Sequence, residues 1–470
     1  MNWGRWPVVT VIPSDHQGAR VPNPQFFDDA ETVKPPTDRL NDDPLPSEAA
    51  YQIVMDEAML DGNARLNLAT FVTTWMDENA NKIMAASADK NMIDKDEYPA
   101  SAAIEARCAT MMATLWNSPS PTTTIGVSTI GSSEACMLGG LALKRRWKQA
   151  RTAADKETNT PNLVMSSGVQ VVWEKFCNYW DIEPRYVPVT EEHPTLDGAT
   201  VTDYIDENTI GVVAIMGVTY TGSYEPVAEI AEALDDHQAA TGLDIPIHVD
   251  AASGGFIAPF LQPDIVWDFR LPRVKSINTS GHKYGLVYPG LGWVVWREKG
   301  DLPEDLIFNV SYLGGNMPTL AINFSRPGSQ VLLQYYMFLR LGFEGYRRVQ
   351  AESQDVARFL ADEIAKIPAF TLWSDGSDIP VFAWRMTPGH TKNWTLYHLQ
   401  NRLRIHGWQV PAYPLPDNMA DQTVQRIVVR NGMNRSLARA LIDDIKKEVD
   451  FLDSLDAPIP HAKDISAFAH

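Results

Sequence analysis

A lysine flanked by small residues follows one of the apolar segments near the middle of the chain. Ser280-Gly281-His282-Lys283 comes directly after an apolar run that ends at Ile277. A lysine amine held beyond a buried strand can form an imine with an aldehyde, and the Ser280 and His282 side chains can donate hydrogen bonds to a phosphate. The same tetrapeptide is also typical of a surface turn with a solvated lysine, and alone it leaves both interpretations open.

A carboxylate ends a second apolar run. Asp250 lies within His248-Val249-Asp250-Ala251-Ala252-Ser253-Gly254-Gly255, where the following residues are too small to block access to it. A carboxylate that faces a pyridine nitrogen keeps that nitrogen protonated, and the pyridinium then withdraws electrons from a carbanion. The alternative is an aspartate that caps a strand through hydrogen bonds to the backbone. His248 is interpreted as a packed strand residue.

Hydroxyl groups and small residues precede a predicted helix. Thr129-Ile130-Gly131-Ser132-Ser133-Glu134-Ala135 combines side-chain hydroxyls with the free N–H groups of a helix start, which suit a phosphate. An ordinary serine N-cap followed by glutamate has the same pattern. The sequence contains no GxxxxGK[ST] loop, GxSxG segment or HExxH spacing, so neither a P-loop nor a metal hydrolase is expected, and no metal is predicted.

Alternating strands and helices are predicted around these segments. Between about residues 120 and 300, short apolar β-branched runs alternate with helical patterns. The predicted strands are 162–165, 185–189, 210–216, 245–249, 274–277 and 293–296, and the predicted helices are 133–149, 171–179 and 226–240. This alternation predicts an α/β fold with a mixed, mostly parallel sheet and helices on both faces. Ligands of such sheets bind at the carboxyl ends of the strands.

Regions of different character flank this central part. Residues 1 to about 46 are rich in Pro, Asp and Asn and predict an extended arm or a loose terminus, followed by a helix that Ser47 could cap. After about residue 345 the pattern predicts a smaller α+β domain with helices 346–366 and 436–455 and strands 381–384 and 425–429. We therefore expect an N-terminal arm and helix at 1–65, a large domain at 66–353, and a small C-terminal domain with a terminal tail at 354–470.

The composition narrows the range of partners. Asp and Glu number 59 against 40 Lys and Arg, a net charge of -19, and this excess argues against nucleic acid or an anionic membrane as a partner. The cysteines Cys108, Cys136 and Cys177 show neither CxxC nor zinc spacing and are predicted to be reduced thiols. With no signal-peptide pattern and no apolar run of membrane-spanning length, a cytoplasmic protein is expected.

Longer stretches of the chain resemble the fold-type I pyridoxal-phosphate enzymes. The resemblance is to the group II amino-acid decarboxylases, and within these to the glutamate decarboxylases of bacteria and plants, over about residues 50–455. It rests on LDGNARLNLATF at 60–71, IGSSEACMLGG at 130–140, DENTIGVVAIMGVTYTGSYE at 206–225, HVDAASGGFIAPF at 248–260, PDIVWDFRLPRVKSINTSGHKYGL at 263–286 and NFSRPGSQV at 323–331. Runs of this length are far more specific than a single motif.

The resemblance implies pyridoxal 5′-phosphate as the cofactor. At the matching positions, Lys283 is the lysine that forms an imine with the cofactor aldehyde, Asp250 is the partner of the pyridine nitrogen, and Gln170 lies over the ring face. These are the expected catalytic residues. The remaining expected cofactor contacts are Thr219 near the ring oxygen, Ser132, Ser133, Ser280 and His282 at the phosphate or ring, and Ser325 at the phosphate from the neighbouring subunit.

The resemblance also implies L-glutamate as the substrate and 4-aminobutanoate and carbon dioxide as the products. Thr70, Phe71, Asn91 and Asp94 match positions around the distal carboxylate, and Arg426 resembles the arginine that binds the carboxylate on the reacting carbon. For Asp94, an exposed carboxylate at a helix end is the alternative. Another pyridoxal-phosphate decarboxylase or lyase, or a non-catalytic cofactor-binding protein on the same scaffold, stays open as a competing interpretation.

The resemblance also concerns the oligomeric state and the C-terminal tail. It implies a homodimer as the basic unit, with further assembly into a hexamer left open. The final residues resemble a bacterial tail whose histidine closes the active site at neutral pH, so closure by His470 is a hypothesis, with a frayed terminus as the alternative. The tail lacks the basic, Trp-containing helix of calmodulin-responsive plant members, and calmodulin is not expected.

Overall fold

The computed structural model describes residues 38–311 and 317–459. The chain divides into two compact units, the first ending at Asn63 and the second beginning at Ala64. The first unit contains helix α1 (Ser47–Ala58). The prediction that Ser47 caps this helix is wrong, because Pro46 holds the cap position and Ser47 already belongs to the helix. Most of the predicted arm, residues 1–37, lies outside the described residues.

A seven-stranded sheet forms the centre of the second unit. Its strands are β1 (Gly126–Thr129), β2 (Asn162–Ser166), β3 (Glu183–Val187), β4 (Thr209–Ile215), β5 (Ile247–Asp250), β6 (Val274–Thr279) and β7 (Gly292–Trp296), in the order β1-β7-β6-β5-β4-β2-β3. Strands β3, β2, β4, β5 and β6 are parallel, whereas β7 runs antiparallel to both β6 and β1. The predicted mixed, mostly parallel sheet is confirmed.

Helices cover both faces of this sheet, as parallel strands require. They are α2 (Glu78–Ala86), α3 (Pro99–Leu115), α4 (Ser132–Ala153), α5 (Val171–Tyr179), α6 (Val227–Thr241), α7 (Ala258–Leu261) and the first part of α8 (Ser329–Ile364). Side chains alternate along a strand, so Val212 packs into the cluster that contains residues of α3, α6 and α8, and Val213 packs into the cluster formed with α4 and α5.

A four-stranded antiparallel sheet forms the smaller part of the second unit. Its strands are β10 (Phe370–Leu372), β11 (Val381–Met386), β12 (Ala412–Pro414) and β13 (Thr423–Val428), in the order β10-β11-β13-β12. Helices α9 (Leu396–Ile405) and α10 (Arg435–Asp453) pack against it with the end of α8. The predicted small α+β part is confirmed. Between the two sheets, β8 (Phe308–Val310) and β9 (Met317–Thr319) form an antiparallel pair.

Helix α8 connects the large sheet to the small one and begins earlier than predicted. The sequence pattern places its start at Tyr346, but the helix begins at Ser329 and bends at Gly342, whose φ is 58°. Gly342 and Gly345 interrupt the apolar periodicity, which is why only the part after the bend is evident from sequence. The expected domain boundary between residues 353 and 354 falls within this helix and stays a prediction.

The sequence analysis missed β1 (Gly126–Thr129), and among the strands that it predicted, β3 at the edge of the sheet departs most. It begins at Glu183 and ends at Val187, two residues before the predicted 185–189. Its first residues, Glu183 and Pro184, are exposed and hydrogen-bond only on the side of β2, so they lack the apolar character of a buried strand.

Among the described residues no helix is both long and apolar enough to cross a bilayer.

Candidate active site

A cavity of about 230 Å³ opens at the carboxyl ends of the parallel strands. The residues that line it follow β1, β2, β4, β5 and β6, so five separate chain segments converge there. Every cofactor-binding residue expected from the sequence lines this cavity except Ser325: Ser132, Ser133, Gln170, Thr219, Asp250, Ser280, His282 and Lys283. The other residues of the wall are Gly131, Cys136, Val172, Ile215, Gly217, Ala252 and Ser253.

Lys283 lies in the loop after β6, and its amine faces the cavity. Its Nζ donates a 3.4 Å hydrogen bond to Ser253 Oγ. Thr73 fixes the loop, because its N–H donates to the carbonyl of His282 and its hydroxyl donates to the carbonyl of Lys283, each at 2.7 Å. Desolvation lowers the pKa of Lys283, although Asp250 partly opposes this shift. A larger neutral fraction of the amine favours attack on an aldehyde.

Asp250 ends β5 and is only 5% exposed. Its Oδ2 accepts a 2.9 Å hydrogen bond from Trp173 Nε1 and a longer contact of 3.5 Å from the Cys136 thiol. Its Oδ1 accepts hydrogen bonds from Asn278 Nδ2 at 3.0 Å and from Ala252 N at 3.2 Å. Asp250 therefore does accept one hydrogen bond from the backbone, as the strand-capping alternative expects. Side-chain donors bind the same carboxylate, so backbone capping alone does not describe its environment.

The hydroxyl-rich segment before α4 forms one end of the cavity. Gly131 holds the cap position of α4 and no side chain caps the helix, so the alternative of an ordinary serine N-cap is wrong. Ser132 Oγ lies 2.5 Å from Ser280 Oγ, which brings hydroxyls from two segments together. The first N–H groups of a helix lack intrahelical partners, so this end offers both hydroxyl and backbone donors to a phosphate.

His282 lies beside this end of the cavity. Its Nδ1 accepts hydrogen bonds from Leu291 N at 3.1 Å and from Gly290 N at 3.4 Å. Burial, with a smaller effect of the neighbouring Lys283, lowers the pKa of His282 to about 4. The neutral ring must therefore carry its proton on Nε2, which leaves Nε2–H as a hydrogen-bond donor.

Gln170 and Thr219 lie on the walls between the strands. Gln170 caps α5, with its Oε1 accepting a 2.6 Å hydrogen bond from Val172 N. The carbonyl of Thr219 accepts a hydrogen bond from Arg426 Nη1. Thr219 thereby joins the cavity wall to β13 of the small sheet.

The charged ends of Arg426 and Lys283 both contact the aromatic ring of Phe71. Lys283 Nζ is 4.8 Å and Arg426 Cζ is 5.0 Å from the ring centroid, so cation–π contacts join both cations to one side chain. Arg426 Nη2 also donates to the carbonyl of Ala69 at 2.6 Å. Its Nε is buried without a hydrogen-bond partner among the described residues. Thr70, next to Phe71, accepts a 3.3 Å hydrogen bond from Val72 N.

Asn91, Asp94 and Ser325 form a separate group. Asn91 Nδ2 donates to Ser325 Oγ at 3.3 Å, and Asn91 Oδ1 accepts from Arg326 N at 3.2 Å. Asp94 is half-buried and accepts a 3.2 Å hydrogen bond from Glu97 N. None of these three residues lines the cavity of its own chain, and neither do Thr70, Phe71 and Arg426. Their expected roles stay predictions, and His470 lies outside the described residues.

Several residues around the cavity escaped the sequence analysis. Trp173, Asn278 and Cys136 contact Asp250, and Ser253 contacts Lys283. Ser253 lies within the quoted stretch 248–260 and could have been found from its proximity to Asp250. Trp173 is a helix residue and carries no sequence signal for a polar role.

Comparison with known proteins identifies the family. The conserved domain described as the pyridoxal-dependent decarboxylase domain matches residues 41–386. The chain belongs to the pyridoxal-dependent decarboxylase family. The cofactor expected from the sequence is therefore the cofactor of this decarboxylase family, and the fold-type I architecture agrees with it.

Within the family, this decarboxylase is similar to several relatives and solved structures. It is 49% identical to glutamate decarboxylase beta of Listeria monocytogenes over 92% of this chain and 93% of that protein. It is 52% identical to glutamate decarboxylase of Aliivibrio fischeri over 88% and 89%. The structure of Lactobacillus brevis glutamate decarboxylase matches with a TM-score of 0.87 and 48% identity over 90% and 96%. A sphingosine-1-phosphate lyase of Burkholderia pseudomallei, at 19% identity and a TM-score of 0.75, shares the fold.

Proposed function

We propose that this chain is a pyridoxal-phosphate-dependent glutamate decarboxylase, which converts L-glutamate to 4-aminobutanoate and carbon dioxide. The relatives that support the substrate are glutamate decarboxylases at 49–52% identity along most of their length. The single observation that carries the proposal is that Lys283, Asp250 and the hydroxyl-rich end before α4 converge on one cavity. An amine, a carboxylate and a phosphate site are the three groups that this cofactor requires.

The donor set fits pyridoxal phosphate. Ser132, Ser280 and the start of α4 supply neutral donors for a phosphate, and His282 adds Nε2–H. Gly292 allows its strand to approach this end closely, because a Cβ there would lie 2.4 Å from the backbone of Gly131. When bound, the cofactor supplies an aldehyde and a protonated pyridine ring that accepts the electrons released as carbon dioxide departs.

Lys283 and Asp250 have complementary tasks in this proposal. The Lys283 amine, with its lowered pKa, would be the covalent attachment point for the cofactor aldehyde. Asp250 would accept a hydrogen bond from the protonated pyridine nitrogen. Because Asp250 is buried and has donors on both oxygens, its orientation toward the ring is fixed before the cofactor arrives.

Arg426 and Phe71 are proposed to position the substrate. A guanidinium binds a carboxylate with charge-assisted hydrogen bonds, and Arg426 Nε has no hydrogen-bond partner within residues 38–311 and 317–459. Arg426 and Lys283 each lie within about 5 Å of the centre of the Phe71 ring, so a carboxylate bound by Arg426 would lie near the attachment point. Thr70 adds a hydroxyl beside Phe71 for the distal end of glutamate.

We also propose a homodimer in which Asn91, Asp94 and Ser325 complete the cavity of the partner subunit. Two observations support this: Asn91 hydrogen-bonds with both Ser325 and Asp94, and none of the three lines the cavity of its own chain. Phe71 and Arg426 also lie outside the cavity lining, but they contact Lys283 and Thr219, which line it. The three cysteines are free thiols, which supports a reducing compartment such as the cytoplasm. Further assembly into a hexamer stays open.

The experiment that tests the proposed function is product analysis with a panel of amino acids. Purified protein with added pyridoxal phosphate is incubated separately with glutamate, aspartate, tryptophan and tyrosine, and amine products are measured. We expect 4-aminobutanoate from glutamate and at least 100-fold less product from each of the other amino acids, a discrimination of the order achieved by a site built around a polar group. Equal or greater product from another amino acid would contradict the proposed substrate.

A further inference from the structure

Strands β5 and β6 place four polar side chains on one face of the sheet. In their pairing, His248 lies opposite Ser276 and Asp250 lies opposite Asn278. Residues two apart on a strand point to the same face, so all four side chains lie next to each other. Each is at most 5% exposed. Buried polar groups of this kind require partners, and these four supply partners to one another.

Hydrogen bonds connect the four side chains in a row. Ser276 Oγ lies 2.7 Å from His248 Nδ1, and His248 Nε2 lies 2.7 Å from Asn278 Oδ1. Asn278 Nδ2 in turn donates to Asp250 Oδ1 at 3.0 Å. We call Ser276, His248 and Asn278 the relay, because it extends from the interior of the sheet to the carboxylate at the cavity.

The carboxylate fixes the direction of every hydrogen bond in the relay. An ionised Asp250 can only accept, so Asn278 must turn its amide NH₂ toward it and its oxygen toward His248. That oxygen can only accept, so His248 must carry its proton on Nε2. His248 Nδ1 then accepts, and the hydroxyl of Ser276 donates to it. Burial lowers the pKa of His248 to about 4, which keeps the ring neutral and permits this tautomer.

Packing holds the imidazole in place. Trp173, which itself donates to Asp250, packs edge-on against His248 with ring centroids 5.2 Å apart. On another side, Gly139 of α4 leaves room for the ring, since a Cβ at that position would lie 2.3 Å from His248 Cε1. The ring therefore has one position, and its Nε2–H points at the Asn278 oxygen.

We propose that His248 is a positioning residue which, by fixing the Asn278 amide, holds the Asp250 carboxylate in the orientation that receives the pyridine nitrogen. This inference rests on the proposed role of Asp250. Without the imidazole, Asn278 Oδ1 loses the hydrogen bond from His248 Nε2–H. That hydrogen bond selects one of the two orientations of the amide. The flipped amide presents its oxygen to the carboxylate, which repels it, so Asp250 moves or loses a donor.

The alternative is that His248 only fills space in the sheet. Both roles lower stability when His248 is replaced, so stability does not distinguish them. The two roles predict different cofactor affinities and different kcat values for a His248 variant. A positioning role makes pyridoxal phosphate bind more weakly and lowers kcat, while the KM for glutamate stays unchanged because no relay residue is proposed to contact the substrate.

The test measures the Kd of the apoprotein for pyridoxal phosphate, its visible spectrum, and kcat and KM for glutamate. His248→Phe keeps the ring and removes both hydrogen bonds, whereas Ser276→Ala is a milder change at the far end of the relay. We expect the Kd to rise about tenfold for His248→Phe and about threefold for Ser276→Ala. In an Asn278→Ala background, His248→Phe should change the Kd no further, because its effect passes through Asn278.

Thr209→Val is the matched control for Ser276→Ala. Thr209 is a buried residue of β4, and its hydroxyl also makes a 2.7 Å hydrogen bond to a neighbouring side chain, Asn162. It lies at the other end of its strand from the cavity, so its replacement should leave the Kd unchanged. Unchanged Kd and kcat in both His248→Phe and Ser276→Ala, or full additivity with Asn278→Ala, would overturn the proposal.

Asp250→Asn separates this inference from the proposed function. If Asp250→Asn weakens cofactor binding and abolishes turnover but the relay variants behave like the wild type, only the role of His248 is wrong. If Asp250→Asn itself leaves the Kd and turnover unchanged, the proposed role of Asp250 fails and the relay has no function to support.

Discussion

The indole Nε1 of Trp173 donates a 2.9 Å hydrogen bond to Oδ2 of Asp250. Trp173 belongs to α5, which covers the sheet, whereas Asp250 ends a central strand. The helix layer thus contributes directly to the environment of the carboxylate proposed to face the cofactor. Because Gln170, which caps α5, lines the same cavity, this short helix and its cap make two contributions to the site.

Replacing Trp173 tests this contact. Trp173→Phe keeps a buried ring but removes the donor, and a hydrogen bond to a charged group contributes about 1.5–3 kcal/mol. We expect the Kd for pyridoxal phosphate to rise roughly 10- to 100-fold, measured by titrating the apoprotein. Trp296→Phe is the control, because Trp296 is equally buried and its Nε1 has no partner among the described residues. An equal change in both variants would assign the effect to packing.

Replacing Arg426 tests substrate binding. Arg426→Gln removes the guanidinium proposed to bind the carboxylate on the reacting carbon, and we expect kcat/KM for glutamate to fall by a factor on the order of 100. Cofactor absorbance should persist, since the proposed cofactor contacts remain. Arg273→Gln, which removes a buried arginine paired with Asp235 and Asp244, should leave KM unchanged in the folded fraction. A normal kcat/KM in Arg426→Gln would refute its assignment.

Because of Glu225, we expect the free energy of unfolding to fall as pH rises from 4.5 to about 8. Burial raises the pKa of Glu225 from 4.5 to about 8. The folded protein therefore keeps a proton that the unfolded chain releases, so this contribution to stability is complete below pH 4.5 and is lost as pH rises to about 8. At about 1.4 kcal/mol per pKa unit, the loss reaches several kcal/mol.

Urea unfolding at about pH 6.5 and about pH 8 measures this loss. Over that range His248 and His282 stay neutral in the folded protein, because burial lowers the pKa of each to about 4. Glu225→Gln should flatten the decrease in unfolding free energy between the two pH values. Asp206→Asn, at a partly buried carboxylate whose pKa is lowered instead and whose charged partner is Arg185, should keep the wild-type decrease. Equal slopes in all three proteins would contradict the assignment to Glu225.

Mixing two defective subunits tests the shared site. Lys283→Ala lacks the attachment point, and an Asn91→Ala/Ser325→Ala double variant lacks the residues proposed to reach the partner. A heterodimer of the two contains one intact site, so random exchange of subunits should restore roughly a quarter of wild-type activity. Each variant alone, exchanged with itself, is the control. No restoration after verified exchange would show that each chain builds its own site.

How much of the site could be predicted from the sequence depends on where each residue lies. Asp250 ends one apolar run and Lys283 follows another, so their place at the carboxyl ends of the strands could be predicted from the pattern, although their roles needed the family resemblance. Arg426 lies within an apolar strand far along the chain, and only the family resemblance marked it. Asn278 and Trp173 contact Asp250 through strand register and helix packing, which local sequence does not encode.

The central claim is that Lys283 joins covalently to pyridoxal phosphate. Reduction of the cofactor-loaded protein with borohydride converts such a linkage into a stable secondary amine, and peptide mapping by mass spectrometry locates it. The account predicts the phosphopyridoxyl group on Lys283 alone, and none in Lys283→Arg treated in the same way. The group on any other residue, or unmodified Lys283 in protein that retains cofactor absorbance, would contradict the account.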